Sequence, residues 1–214
     1  LKTSEIKDKK KVIVLTGTTC TGKSSLALNI SDLIPIEIIS ADSMLVYKGF
    51  DIGTAKPQKD ILKKKKHHLI NIINPDDEFD AWKFMEMGRK IIDSSESIHF
   101  LVVGGTQLYI KSLIDGLSLD ISRNDDVRRS IQEELNTNGL DYIYDKLRSI
   151  DPDAALRISP KDKQRIMRYL EINYVSGKNI SKLFIPKSSE KIKNVEYLKV
   201  GIQFDKDDVN KLIE

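Results

Sequence analysis

One motif near the start of the chain restricts its fold more than any other feature. Residues 17–24 fit the pattern G-x-x-x-x-G-K-S/T and follow the apolar run Val12-Ile13-Val14-Leu15. The members of this phosphate loop are Gly17, Thr18, Thr19, Cys20, Thr21, Gly22, Lys23 and Ser24. In such a loop, backbone N–H groups surround a phosphate, the lysine adds a charge and the serine can hold Mg²⁺. The sequence therefore predicts a cradle for a diphosphate group.

The motif does not identify the phosphorylated molecule, because kinases, NTPases and diphosphate-releasing transferases all use it. Its single cysteine, Cys20, is interpreted as a small packing residue. One cysteine also excludes an internal disulfide framework, which agrees with a reducing cytosol.

Apolar runs alternate with helical patterns over the first half of the chain. Strands are predicted at Val12 to Leu15, Ile36 to Ser40 and His99 to Val103. Helices are predicted from Ser24 to about Leu33, from Asp80 to about Asp93 and from Gln107 to about Asp115, with Trp82, Met85 and Arg89 as the core stripe of the second. This alternation favours an α/β fold, in which a phosphate-loop parallel sheet carries helices on both faces.

The alternation stops near Asp120. Helices without intervening strands are predicted at Arg128 to Asn138, Tyr142 to Ile150 and Lys163 to Ser176, and a strand pattern returns only at Tyr197 to Phe204, before a helix from Asp205. We therefore predict a core domain over residues 1–117, a helical insertion over 118–191, and a return to the core over 192–214 that ends early.

Asp42 follows the predicted second strand directly, and Thr106 follows the third. In open α/β sheets, ligands bind at the carboxyl ends of the strands, so both residues are expected to face the phosphate loop. From the residues alone, Asp42 is either a Mg²⁺ ligand or a general base for a second substrate.

The stretch from Leu45 to Ile73 shows no sustained periodicity and is predicted to form a long loop over the site. It contains four consecutive lysines, Lys63 to Lys66, which favour a solvated face. The adjacent His67 and His68 lack further ligands at metal spacing, so packing or a hydrogen bond is the preferred interpretation.

The chain has 35 Lys and Arg residues against 32 Asp and Glu, a net charge of +3, so affinity for nucleic acid must come from local clusters. One candidate is the face of the last predicted helix that carries Arg165 and Arg168, with Lys161 a turn earlier, whereas Ile166 and Met167 pack elsewhere. A solvated face is the alternative. No apolar segment approaches 18 residues, and we predict a cytoplasmic protein.

Five segments together resemble the tRNA dimethylallyltransferase family. They are the phosphate loop, Ser40 to Gly49 with Asp51 to Pro57, His67 to Leu69, Gly104 to Tyr109, and Gln164 to Arg168. The stretch from Asp42 to Pro57 is the most specific to the family, and the resemblance extends from about Lys11 to Phe204. Thr18 stands where the family usually has proline, which changes loop stiffness but no phosphate-binding group.

The resemblance implies transfer of a dimethylallyl group from dimethylallyl diphosphate to the adenine on the 3′ side of the anticodon. It implies a diphosphate in the phosphate loop, Mg²⁺ at Ser24, Asp42 as base or orienter of the amine, and Thr106 and Arg128 with Lys23 on the leaving group. It also implies contacts from tRNA to Asp42, Ser43, Met44, Leu45, Gln164, Arg165, Ile166, Met167 and Arg168, with the target base flipped. A monomer is expected.

Two other functions stay open at this point. A relative acting on free adenine nucleotide would lack a use for the basic helical insertion. A phosphate-loop kinase or NTPase would use Asp42 for Mg²⁺ and would turn over ATP. Family members usually continue beyond the point where this chain stops. The resemblance therefore does not extend to activity of these 214 residues by themselves.

Overall fold

The computed structural model describes residues 9–117, 123–183, 192, 194–205, 207 and 209. The chain divides into two compact units. The first unit consists of Leu1–Gly116 and Ser189–Glu214, and the second of Leu117–Ser188.

A parallel five-stranded sheet organises the first unit, and its order is β3-β2-β4-β1-β5. The strands are β1 (Lys10–Gly17), β2 (Glu37–Ser40), β3 (His67–His68), β4 (His99–Gly104) and β5 (Val195–Ile202). In register, Leu15 lies beside Val103 and Ser40 also lies beside Val103. The carboxyl ends of β1, β2 and β4 therefore meet at one edge of the sheet, and the predicted α/β fold is confirmed.

Helices α1 (Lys23–Leu33), α2 (Lys59–Lys64), α3 (Ala81–Ser94) and α4 (Gln107–Asp115) complete the first unit. Asp80 caps α3 as predicted, because its side chain accepts the Lys83 N–H at 2.9 Å. The predicted core stripe of α3 is confirmed at Met85 and wrong at Trp82 and Arg89. Phe84 and Gly88 are buried with Met85, whereas Trp82 and Arg89 stay partly exposed. The Arg89 side chain instead donates to the Leu113 and Ser112 carbonyls near the end of α4.

The long loop predicted from Leu45 to Ile73 is also wrong, because it contains α2, β3 and a bridge between Tyr47 and Ile73. Its polar residues find partners on other elements. Lys65 pairs with Asp32, and His68 Nε2 lies 2.7 Å from Glu37 Oε2. The histidines therefore serve in hydrogen bonds, and two of the four lysines form ion pairs.

The second unit is helical throughout its described part. It consists of α5 (Asp125–Ile150), α6 (Pro152–Ala155), α7 (Lys163–Ser176) and α8 (Ile180–Leu183). Helix α5 consists of two segments that meet at Gly139, whose φ of 84° and ψ of 172° are not helical, so the predicted end of the first helix before Gly139 is confirmed. It begins earlier than predicted because Asn124 caps it through the Val127 N–H. Ile131, Leu147, Ile166 and Leu170 form the core of this unit.

Strand β5 begins and ends two residues before the predicted strand. The helix predicted from Asp205 lies mainly outside the described residues. Among the helices that the structure describes, none is long and apolar enough to cross a membrane.

Gly104 at the end of β4 offers a test of the packing. A Cβ atom at this position would lie 2.1 Å from the carbonyl oxygen of Ala41, so backbone must move to admit any side chain. We expect Gly104→Ala to lower the free energy of unfolding by about 1–3 kcal/mol. Gly201→Ala on β5 is the matched control, because its Cβ would meet no atom of the described residues within 4 Å. Urea unfolding measures both, and equal stability of the two variants would contradict this packing.

Candidate functional site

The phosphate loop connects β1 to α1 through two left-handed residues, Cys20 (φ 64°) and Gly22 (φ 76°). Thr21 is buried within the loop, and its hydroxyl donates to the Thr18 carbonyl at 2.8 Å. The loop starts at Gly17, where a Cβ would lie 2.5 Å from the Ile202 carbonyl oxygen. Cys20 is exposed, so its interpretation as a packing residue is wrong.

Lys23 lies at the mouth of this loop. Its ammonium group donates to the Thr18 carbonyl and to the Thr21 hydroxyl, the latter at 3.2 Å. Burial lowers the pKa of Lys23, and the nearby Asp42 carboxylate and Cys20 thiol partly offset this effect. The hydrogen-bond partners of Lys23 are therefore neutral oxygens. The Asp42 carboxylate is near enough to raise the pKa of Lys23 through its charge.

Asp42 lies just past β2 in a tight turn. Its Oδ1 accepts the Met44 N–H at 2.8 Å and the Leu45 N–H at 3.4 Å, which orients the carboxylate. Since Asp42 also acts electrostatically on Lys23, the turn after β2 and the phosphate loop lie close together.

Thr106 joins the turn after β4 to the turn after β2. Its N–H donates to the Ala41 carbonyl at 3.2 Å, and its hydroxyl accepts the Ser43 N–H at 3.2 Å. The neighbouring Gln107 donates to the Thr16 hydroxyl at the end of β1, at 2.7 Å. The structure thus brings Lys23, Asp42 and Thr106 to one edge, as the sequence predicted. The sequence did not predict that Gln107 connects the turn after β4 to β1, because its partner Thr16 lies 91 positions away.

The remaining predicted residues are Ser43 to Leu45 in the first unit, and Arg128 with five residues of α7 in the second. Gln164 and Arg165 are exposed at the start of α7, and the Arg165 side chain is 64% exposed. Ile166 is completely buried and Met167 nearly so, in the core of that unit. The tRNA contact that the resemblance implied for the side chain of Ile166 is therefore wrong, whereas the sequence-based placement of Ile166 and Met167 in packing is confirmed. Three residues that follow Asp42 were also predicted to contact tRNA. Ser43 and Met44 are exposed, and Leu45 is partly buried.

Arg128 and Arg168 share a buried carboxylate, Glu171, that the sequence analysis missed. Glu171 Oε2 lies 3.0 Å from Arg168 Nη1 and 3.7 Å from Arg128 Nε, and its side chain is fully buried. Its Oε1 accepts the Asn124 N–H at 2.8 Å, so the same carboxylate ties α7 to the start of α5. A signal existed in the spacing of Arg168 and Glu171, which lie one helical turn apart beside the apolar Leu170 and Ile172.

Replacement of Glu171 tests this arrangement. Glu171→Gln preserves the bond to Asn124 but leaves two guanidinium groups without their shared counter-charge. We expect it to lower the free energy of unfolding by about 1–3 kcal/mol. The control is Glu134→Gln on α5, which breaks a pair with Lys146 whose two side chains are about 30% exposed, and it should cost below about 1 kcal/mol. If the two variants lose the same free energy of unfolding in urea, the buried carboxylate stabilises the protein no more than an exposed one.

Comparison with known proteins gives the family. The family model for IPP transferase matches residues 45–214. The tRNA dimethylallyltransferase of Geobacter sulfurreducens is 37% identical over 209 residues, which are 96% of this chain and 66% of that protein. This chain therefore spans slightly less than two thirds of that relative.

Two solved structures are also similar. The tRNA delta(2)-isopentenylpyrophosphate transferase of Staphylococcus epidermidis is 30% identical with a TM-score of 0.57, over 96% of this chain and 68% of that one. A eukaryotic dimethylallyltransferase acting on tRNA is 28% identical with a TM-score of 0.71, over 95% of this chain and 53% of that one. With a family model over most of its length and these relatives, the chain belongs to the IPP transferase family.

Proposed function

We propose that this protein transfers a dimethylallyl group from dimethylallyl diphosphate to the exocyclic amine of the adenine 3′ to the anticodon in tRNA. Diphosphate is the second product. The observation that carries the proposal is the meeting of Lys23, Asp42 and Thr106 at one edge of the sheet in a member of this family. An anion cradle beside an oriented carboxylate suits a reaction in which diphosphate leaves while an amine attacks.

In this reaction the adenine nitrogen forms a bond to the first carbon of the donor as the carbon–oxygen bond to diphosphate breaks. Negative charge grows on the departing oxygen, where the loop amides and Lys23 stabilise it. The hydroxyl of Thr106 would serve the same oxygen atoms, and the resemblance implies a role on the leaving group for Arg128. The proton that the amine loses passes to Asp42, whose carboxylate is oriented by two backbone N–H groups.

Mg²⁺ is the proposed cofactor, and the residues present fit it. Ser24 is exposed in the first turn of α1, next to the expected position of the diphosphate. Mg²⁺ bound to phosphate oxygens keeps several waters and needs few protein ligands, so a carboxylate cluster is not required. None of the described residues forms such a metal-binding cluster of His, Cys, Asp or Glu. When bound, the ion would neutralise charge on the diphosphate.

The tRNA substrate would contact exposed residues of both sequence regions that the resemblance singles out. Ser43 and Met44 follow Asp42, and Gln164 and Arg165 begin α7. Arg165 suits a phosphate contact, because its exposed guanidinium pairs only loosely with Asp162 at 3.3 Å. We propose that the protein acts as a monomer in the cytoplasm.

The experiment that tests the proposal incubates the protein with dimethylallyl diphosphate, Mg²⁺ and bulk tRNA, with nucleotides removed. Mass spectrometry of the digested tRNA should show a prenylated adenosine. ATP added in a titration should compete for the phosphate loop and should not be hydrolysed at a useful rate. A strict ATP requirement, or ATP hydrolysis stimulated by tRNA without prenyl transfer, would overturn the proposal in favour of a kinase or NTPase.

Asp42→Asn separates the two roles of this residue. We expect prenyl transfer to fall by about 10²–10⁴-fold while donor affinity stays nearly constant, because the amide cannot accept the proton. Asp32→Asn is the control, since Asp32 is an exposed carboxylate that pairs with Lys65. Single-turnover rates and donor titrations measure both quantities. A variant with weaker Mg²⁺-dependent donor binding and unchanged saturated turnover would make Asp42 a metal ligand.

Arg165→Ala tests the phosphate contact. The plot of log affinity for tRNA against log salt concentration should become shallower by roughly one unit, with donor affinity unchanged. Arg148→Ala is a close match, because Arg148 is 63% exposed and also pairs with an acidic residue three positions earlier. Equal salt slopes for the two variants and the original protein would show that Arg165 contacts no phosphate and belongs to a solvated face.

A further inference from the structure

Two arginines of the second unit approach the same oxygen atom. Arg168 Nη1 lies 3.0 Å from Glu171 Oε2, and Arg128 Nε lies 3.7 Å from it. The two guanidinium groups are therefore neighbours, although Arg168 belongs to α7 and Arg128 to the first turn of α5. We call Arg128 and Arg168 the arginine pair. Together with Glu171 they carry one positive charge in excess.

The carboxylate between them is held in place by the backbone. Its second oxygen, Oε1, accepts the Asn124 N–H at 2.8 Å, and the Asn124 side chain caps α5 through the Val127 N–H. The Glu171 side chain is fully buried, whereas the side chains of the arginine pair are each 35% exposed. Solvent therefore reaches the arginines but not the carboxylate, so Glu171 can act on a ligand only through them.

The charges of this cluster favour an anion as its ligand. One carboxylate offsets the charge of one guanidinium group, and the second guanidinium adds repulsion between like charges. A guanidinium group has five N–H donors, more than one carboxylate oxygen accepts, and its planar edge matches the geometry of phosphate. A phosphate that bonds to both arginines would offset the excess charge.

We propose that Glu171 is a positioning residue, which holds the arginine pair in the arrangement that binds a single phosphate group. The inference rests on the proposed function, in which both substrates carry phosphate, in the backbone of tRNA and in the diphosphate of the donor. The same chemistry recognises either source, and separate binding measurements distinguish them.

Glu171→Gln tests the proposal because positioning and charge predict opposite results. The variant is more positive by one charge, so attraction by charge alone would tighten the binding of a phosphate-bearing ligand. Loss of the arrangement would weaken binding by about tenfold, a low value for one hydrogen bond to a charged group. Glu134→Gln is the matched control, since it removes a carboxylate from a partly exposed pair with Lys146 in the same unit and should weaken no binding.

Two measurements on the full chain identify the source of the phosphate. They are the affinity for bulk tRNA without donor, and the affinity for inorganic diphosphate with Mg²⁺ and without tRNA. In Glu171→Gln, weaker binding of tRNA alone would assign the site to the RNA backbone, and weaker binding of diphosphate alone would assign it to the donor. Unchanged or tighter binding of both ligands would overturn the proposal.

A variant with a damaged core separates positioning from a loss of folded protein. Ile143 is fully buried in the core of the second unit, so Ile143→Val lowers stability and keeps all three charged groups. Its binding stoichiometry reports the folded fraction, and its dissociation constants should equal those of the original protein. If Ile143→Val weakens binding as much as Glu171→Gln does, the effect of Glu171 is structural and the positioning role is refuted.

The sharing of one phosphate has a test of its own. For the ligand identified above, the Arg128→Ala, Arg168→Ala double variant should lose less affinity than the two single losses multiplied together, because both arginines serve the same group. If that ligand is tRNA, all three variants should flatten the salt dependence by roughly one unit of slope. Losses that multiply in full would indicate independent contacts and overturn the shared site.

These outcomes separate the inference from the function. Prenylated adenosine in the tRNA assay, together with unchanged affinities in Glu171→Gln, would refute the phosphate site and keep the transferase. The expected affinity patterns without any prenyl transfer would keep the phosphate site and refute the transferase.

Discussion

The candidate site depends on the close approach of two backbone turns, after β2 and after β4. Gly104 lies against the Ala41 carbonyl at a distance that excludes any Cβ, and the same carbonyl accepts the Thr106 N–H. Because Ala41 precedes Asp42 directly, this contact places the turn that carries Asp42 next to Thr106. A side chain at position 104 would separate the two turns and would break the bond between the Ser43 N–H and the Thr106 hydroxyl.

Much of this arrangement could be predicted because it depends on local signals. The glycines and lysine of the phosphate loop, the Asp80 cap and the Gly177 end of α7 each act within a few residues of themselves. Parallel strands also bring their carboxyl ends to one edge whatever the intervening sequence, so Asp42 and Thr106 could be placed together without knowledge of any contact.

The features that sequence reasoning missed depend on partners and burial that tertiary packing supplies. The segment after Leu45 looked unstructured because it lacks periodicity, yet Lys56 and Lys65 hold it through Asn71 and Asp32. Glu171 looked like one more acidic residue on a charged helix, and only packing shows that it is buried against Arg128 and Arg168. In each case folding supplies the partner or the burial that gives the polar side chain its role, and the three-residue spacing of Arg168 and Glu171 gave only a partial signal.

The surroundings of two lysines show how the same residue type serves structure in one place and chemistry in another. Lys56 is buried beside the Asp51 carboxylate and two further oxygens, so an incoming anion would have to displace an ion pair to reach it. Among the described residues, the Lys23 ammonium group donates only to a carbonyl and a hydroxyl of its own loop, and burial lowers its pKa. A diphosphate in the loop would replace these neutral partners with charged oxygens, which favours the charged form of Lys23 and offsets the cost of its burial. In the proposed reaction this gain would grow as negative charge collects on the leaving oxygen, which is the role that we propose for Lys23.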